Sequence, residues 1–248
     1  MGIVKIDSLE STNKYCEALD LTKVEDFTCY WALEQTAGIG QRGNHWHSAP
    51  GLNLTFSLVL HPTFLPADHQ FKLTETLSLA ILDLLNTVVC RRLGRQHLPL
   101  TTTIKWPNDI YVDNRKICGT LVSTRLNGNA ITSAVCGIGL NVNQTVFPQE
   151  VPNPTSLSLL TGHVYDLESL LQQLLGCIEV RYNALKAGVD PESEYLGYLM
   201  NLGIPARYRY KEKEITATIT GVDPHGRLLL TATDGGSLCC SIKEIVLL

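Results

Sequence analysis

The hydrophobic pattern divides this chain into short stretches with a two-residue rhythm and two long stretches with a helical one. Residues 71–93 give the clearest helix. Leu73, Leu77, Ala80, Leu84 and Val88 recur three and four apart, and Gly94 ends the run. A second long helix is predicted over 167–185, after Pro148, Pro152 and Pro154 break the chain. Ser11-Thr12-Asn13 supplies cap-type residues ahead of a short helical stretch to Leu19. Strands are predicted over 3–6, 29–34 and 52–60, then over 102–105, 110–112, 119–125 and 130–138. Asp113-Asn114 and Asn127-Gly128-Asn129 are the turns within the later group. This order is neither strict strand–helix alternation nor all strand, so it predicts an α+β fold on a mixed sheet.

The last fifty residues change character. Short strands over 206–210, 215–222, 228–233 and 237–242 are separated by turn residues at 211–212, 223–226 and 234–236, the pattern of a small β-barrel. A boundary near Met200 gives two domains, 1–199 and 200–248. No internal repeat or low-complexity tract interrupts them.

Composition narrows the class. A chain of 248 residues, 44% hydrophobic and 18% charged, is ordinary for a globular protein. The net charge of −4 argues against a general nucleic-acid binder. The N-terminus lacks the basic head and apolar stretch of a signal peptide, Ile6 stands where a myristoylation signal has Ser or Thr, and no apolar run approaches the ~20 residues of a membrane span. A cytoplasmic location without membrane attachment is the expectation. The eight cysteines, Cys16, Cys29, Cys90, Cys118, Cys136, Cys177, Cys239 and Cys240, form no C-x-x-C pair and read as reduced thiols, mostly small core residues.

Candidate chemistry begins at Gly38-Ile39-Gly40-Gln41-Arg42-Gly43, which matches the dinucleotide fingerprint G-x-G-x-x-G by letter. That fingerprint works only where a strand runs through it into a helix, with an acidic residue about 20 positions on. Here a second strand follows, and the first acidic candidate is Asp68 in a Pro-flanked loop, so the fingerprint is rejected. The glycines can instead bring backbone N–H groups against an anion, with Arg42 adding charge and Trp46 a flat face for a base. A surface loop anchored by its tryptophan is the alternative.

The second cluster lies at 105–119. Pro107 lacks an N–H and ends a strand at Lys105-Trp106, presenting Asn108 and Asp109 at the strand end. A hairpin through Asp113-Asn114 would return Arg115 and Lys116 beside them, and Gly119 would let a ligand approach the strand or mark a bulge. Cations beside one carboxylate suit a reaction between two anions. Unit charges about 4 Å apart interact by roughly 4 kcal/mol at an effective dielectric of about 20, so a lysine between oxyanions relieves a large repulsion. The alternative is a solvated hairpin with a surface ion pair worth at most about 1 kcal/mol.

Taken in order, Ser11-Thr12-Asn13, the 34–46 segment, Lys105-Trp106-Pro107-Asn108-Asp109, Arg115-Lys116-Ile117-Cys118-Gly119 and Gly137-Ile138-Gly139-Leu140-Asn141-Val142-Asn143 resemble the motifs of biotin–protein ligases. The resemblance implies a mixed-sheet catalytic domain similar to class II aminoacyl-tRNA synthetases, followed by an SH3-like β-barrel. It implies ATP, Mg²⁺ and biotin as the reacting set, with no tightly bound protein metal, and biotinyl-5′-AMP as the intermediate. A lysine of a biotin carboxyl carrier domain receives the biotin. By position, the resemblance assigns Ser11, Thr12, Asn13, Gln35, Gly38, Ile39, Gly40, Gln41, Lys116, Gly119 and Gly137 to biotin. It assigns Trp46, Asn108, Lys116 and Asn141 to the nucleotide, and Lys116, Arg42 and Asp109 to catalysis, with Asp109 also near the metal. Lys105 has a supporting place.

Two departures stand out. The family usually has arginine at the position of Ile39 and often at that of Gln41, so weaker retention of the adenylate is expected unless Arg42 compensates. Bifunctional members carry a preceding helix-turn-helix domain. Here the motifs start by Ser11, and DNA binding is not expected; a homodimer is compatible with the resemblance. A lipoate or octanoyl ligase shares the chemistry, and a binding protein without catalysis is the non-enzyme alternative. His45 and His47 flank Trp46 at a spacing too sparse for a metal site, and the other histidines are dispersed.

Overall fold

Two sheets organise the chain. The structure, a computed structural model, describes residues 2–93 and 101–248, without the side chains of Arg42 and of residues 90–93. The helix stop at Gly94, the Cys90 thiol and the role expected of the Arg42 side chain lie outside the described residues.

In chain order the larger unit contains β1 (Ile3–Leu9), α1 (Thr12–Glu17), β2 (Thr28–Gln35), β3 (Leu54–Leu60), α2 (Phe71–Leu93), β4 (Thr102–Lys105), β5 (Asp109–Val112), β6 (Arg115–Asn127) and β7 (Ala130–Leu140). Three helices follow: α3 (Leu157–Thr161), α4 (Leu167–Lys186) and α5 (Glu192–Gly197). The strands form a seven-stranded sheet in the order β1-β2-β3-β7-β6-β5-β4. β1 and β2 are parallel and the other neighbours antiparallel, which is the mixed sheet expected.

Strand alternation gives this sheet two faces of different use. Trp31, Phe56, Leu58, Cys136 and Ile138 join the core cluster that holds the buried residues of α2 and α4. α2 is apolar around much of its circumference because it packs on the sheet, on α4 and on α5. Arg181 of α4 ties these helices together, with Nε 2.6 Å from Asp83 Oδ2 and Nη1 2.5 Å from Glu194 Oε2. The opposite face presents Thr55, Ser57, Gly137 and Gly139 beneath α1 and the glycine-rich loop.

The C-terminal strands are β8 (Pro205–Tyr210), β9 (Lys213–Val222), β10 (Leu228–Ala232), β11 (Ser237–Cys240) and β12 (Ile245–Leu247). They pair as a five-stranded antiparallel sheet in the order β11-β10-β9-β8-β12. Its outer strands are not paired with each other among the described residues, so the expected barrel is open along one seam.

Several local expectations shift. β6 starts at Arg115 rather than 119, and α3, α5 and β12 were not predicted. α1 ends at Glu17, short of Leu19, and Ser11 occupies its N-cap without a side-chain capping bond. Asp113 and Asn114 have φ of 47° and 58°, the left-handed turn that their side chains tolerate. The seven described cysteines are free; burial pushes the Cys16 and Cys136 thiols up to about 12.

Candidate active site

Strand register creates the floor of the site. Ala32, Thr55, Gly139, Gly119, Asp109 and Lys105 lie in one row across β2, β3, β7, β6, β5 and β4. One step along, Tyr30, Ser57, Gly137 and Leu121 form a second row. Each row is open at its glycines. The Trp46 indole rests on Gly139 and Gly119, where a Cβ on Gly139 would collide with the ring and one on Gly119 would lie 3.4 Å from it. The Asn13 carboxamide fills the corresponding space over Gly137.

A β-bulge aims the central lysine. Tyr111 pairs with Lys116 but Ile110 pairs with Cys118, so Ile117 is an extra residue in β6. Ile117 and Cys118 can therefore both face the core, where each is fully buried, while Lys116 turns to the side of Asp109. Lys116 Nζ donates to Asp109 Oδ2 over 2.6 Å and stands 5.7 Å from the centre of the Trp46 ring. Each side chain of the pair keeps 26% of its surface exposed.

The loop carrying Asn108 and Asp109 is held from two sides. Tyr195, fully buried, donates its hydroxyl to Pro107 O over 2.9 Å. Trp106 Nε1 donates to Gly226 O, 3.0 Å away in the turn between β9 and β10. Asn108 Nδ2 donates to Thr120 O.

Two cavities flank Trp46. The inner one, about 50 Å³, is lined by Ser11, Thr12, Asn13, Gln35, Ile39 and the glycines Gly119, Gly137 and Gly139. The outer one, about 280 Å³, has Lys105, Asn44 and His45 on one side and Tyr208, Ile219, Leu228 and Ile245 of the C-terminal sheet on the other. Gly40, Gln41, Trp46, Asn108, Asp109 and Lys116 line both, so the Lys116–Asp109 pair stands at the boundary.

Inside, the polar groups are already organised. Gln35 Oε1 accepts from Thr12 N over 2.7 Å and lies 3.1 Å from Thr12 Oγ1, which leaves the Gln35 Nε2 amide as a donor. Trp46 Nε1 and Thr120 Oγ1 are buried without a hydrogen-bond partner among the described residues.

The sequence-predicted residues mostly converge here. Gly38 acts on the backbone, closing the loop as Trp46 N donates to Gly38 O over 2.9 Å. The backbone of Arg42 lies in a short 3-10 turn, Gln41–Gly43, and no helix opens from the glycine loop. Asn141 lines neither cavity: it is buried, with Nδ2 donating to Thr155 O over 3.0 Å and Oδ1 without a hydrogen-bond partner among the described residues. Among the described residues no group of three His, Cys, Asp or Glu side chains could hold a metal ion. Sequence reasoning missed Ser57. Its signal was a single serine inside the apolar run Leu54–Leu60.

With this geometry in view, residues 6–141 match the Biotin/lipoate A/B protein ligase family. The chain belongs to that family. The bifunctional ligase/repressor BirA of Bacillus subtilis is 31% identical over 234 residues, spanning 92% of this chain and 69% of that protein. A biotin–[acetyl-CoA-carboxylase] ligase of Paracoccus denitrificans is 31% identical over 215 residues, or 83% of this chain and 85% of that protein. In fold, the family likeness extends over the whole chain. A biotin protein ligase from Aquifex aeolicus in complex with biotin and ATP superposes with a TM-score of 0.79 at 24% identity, covering 100% of this chain and 98% of that one.

Proposed function

We propose that this protein activates biotin with ATP and transfers it to a lysine of the carboxyl carrier domain of a biotin-dependent carboxylase, in the cytoplasm. The observation that carries this reading is Lys116 standing beside Asp109 at the boundary of two cavities, one small and polar, the other larger and open to the C-terminal sheet.

The first step joins two anions. A biotin carboxylate oxygen forms a bond to the α-phosphorus of ATP as the bond to pyrophosphate breaks, giving biotinyl-5′-AMP. Lys116 offsets the repulsion between carboxylate and phosphate and stabilises the charge that develops between them. In the second step a carrier lysine, as the free amine, attacks the anhydride carbonyl, forms the amide and releases AMP. The bicyclic end of biotin belongs in the inner cavity against Ser11, Thr12 and Gln35, over Gly119 and Gly137, with Ile39–Gln41 as its cover. The nucleotide belongs in the outer cavity against Asn108, with Trp46 between the two. At about 50 Å³ the inner cavity is far below the roughly 300 Å³ of typical ligand sites, so biotin must displace the Trp46 loop as it enters.

Mg²⁺ would arrive with ATP. A single carboxylate, Asp109, fits a cation held mainly by phosphate oxygens and water. The two sheets are read as two domains dividing near residue 200, both contributing walls to the outer cavity.

The test is incubation with biotin, Mg-ATP and an isolated carrier domain, followed by intact mass. A biotin-sized increment on the carrier, lost in Lys116→Ala, is expected. Pyrophosphate exchange that depends on lipoate and not on biotin would reassign the substrate within the same family.

A further inference from the structure

We infer that Ser57, a fully buried residue of β3, is a positioning residue that sets the polarity of the inner cavity through Thr12 and Asn13. The inference rests on the biotin-ligase reading and deepens it.

Ser57 Oγ lies 2.5 Å from Asn13 Oδ1 and 2.8 Å from Thr12 Oγ1. Asn13 is fixed from its other end, because Nδ2 donates to Leu121 O over 3.3 Å and Oδ1 must then face Ser57. Ser57, Gly137 and Leu121 are the cross-strand row described above, so the Asn13 amide spans three strands over the bare Gly137 backbone.

Counting protons gives the chain a direction. Ser57 has one proton, and the Asn13 carboxamide oxygen has none to give, so Asn13 takes it. The contact between the two hydroxyls is then closed by the Thr12 proton. Thr12 Oγ1 is thereby left with lone pairs toward the cavity, while its backbone N–H holds Gln35 Oε1 and leaves the Gln35 amide as a donor. The inner cavity therefore offers an acceptor at Thr12 and a donor at Gln35, the pair that a urea group needs for its N–H and its carbonyl. Without Ser57 the Thr12 proton is no longer held on the sheet side and is free to turn into the cavity, where it would meet a urea N–H donor against donor.

The test is a double-mutant cycle on biotin-dependent pyrophosphate exchange in the whole protein, with Ser57→Ala, Thr12→Val and the pair. Ser57→Ala is expected to raise the KM for biotin about tenfold, as for loss of one buried hydrogen bond, with kcat and the KM for ATP within about twofold. In the Thr12→Val background the same change is expected to add less than about twofold, since its effect runs through the Thr12 hydroxyl. Additive changes in the biotin KM, or an unchanged KM in Ser57→Ala, would overturn the inference. If Ser57→Ala does not fold, Asn13→Ala combined with Thr12→Val probes the same hydrogen-bond chain from its other end. There a less than additive rise in the biotin KM supports the inference, and an additive rise overturns it. No biotin-dependent exchange in the wild type would instead overturn the ligase reading itself.

Discussion

The Trp46 indole lies against the backbone of Gly139 so closely that not even a methyl group fits between them. Gly139→Ala is therefore expected to lift Trp46 off the sheet and to displace the wall shared by both cavities. A misplacement of about 1 Å near reacting groups costs on the order of 100-fold in rate, so biotin-dependent exchange should fall by about that factor. Indole fluorescence followed during biotin titration checks the cause: the wild-type signal should change as the loop moves, and the variant should start displaced. Normal activity in Gly139→Ala would show that the contact has no part in the reaction.

Lys116 and Asp109 separate catalysis from stability. Their pair is a quarter exposed, so its loss should change unfolding free energy by no more than about 1 kcal/mol. Lys116→Ala should nevertheless slow adenylate formation by roughly 100- to 1,000-fold, the cost of removing a group aimed at developing charge. Single-turnover formation of the adenylate and a denaturant melt on the same sample measure both. A large stability loss with rapid adenylation would make the pair a structural bridge.

The fold was largely legible in the sequence, and the geometry of the site only in part. Helix α2 and the β5–β6 turn follow from local rules: apolar spacing for one, residues tolerant of positive φ for the other. The bulge at Ile117 does not, because a bulge exists only relative to a partner strand, and nothing in Arg115-Lys116-Ile117 marks one. The glycines Gly119, Gly137 and Gly139 stand out in the motifs, yet their use depends on register across three strands, which lets Trp46 and Asn13 descend onto them. Ser57 escapes sequence reasoning for the same cause: an isolated serine gains meaning only from what lies opposite. Asn141 shows the converse, a motif residue whose side chain is turned toward Thr155 O and away from both cavities.

Tyr195 should matter for both folding and activity. Tyr195→Phe leaves Pro107 O, beside Asn108 and Asp109, without its buried donor. Loss of such a partner costs about 1–3 kcal/mol, and a fall in the thermal midpoint is expected. Exchange activity should fall about tenfold or more at a temperature where the variant is still folded. A destabilised variant with wild-type exchange would show that the Trp106–Gly226 and Asn108–Thr120 hydrogen bonds keep the loop in place without Tyr195.

Glu75 predicts a pH effect with an unusual sign. Burial in α2 raises its carboxyl from 4.5 to about 7, with Glu192 and Asp190 adding to the rise and Lys72 opposing it. Between those values the folded protein binds more protons than the unfolded chain, so this residue makes stability fall as pH rises from about 4.5 to 7. At about 1.4 kcal/mol per pKa unit, the ceiling is about 3 kcal/mol at pH 8. Glu75→Gln should melt several degrees above wild type at pH 8, with the difference fading toward pH 4.5. A pH-independent difference would mean that Glu75 stays charged when folded.

Ile39 places the remaining question at the cover of the inner cavity, where its backbone pairs with His45 and the family usually has arginine. An apolar side chain there gives no charge to an adenylate, so in the proposed reaction its retention rests on Lys116, on backbone donors of the loop and on whatever charge Arg42 supplies. One charge-assisted hydrogen bond is worth about 1.5–3 kcal/mol, or roughly 10- to 100-fold in dissociation. Ile39→Arg should slow release of biotinyl-5′-AMP by a factor in that range while leaving its rate of formation within a few-fold. Adenylate formed from labelled ATP and chased with unlabelled biotin and ATP measures the release directly. Equal release from both proteins would mean that the loop backbone already holds the intermediate, and that the missing cation costs this protein nothing.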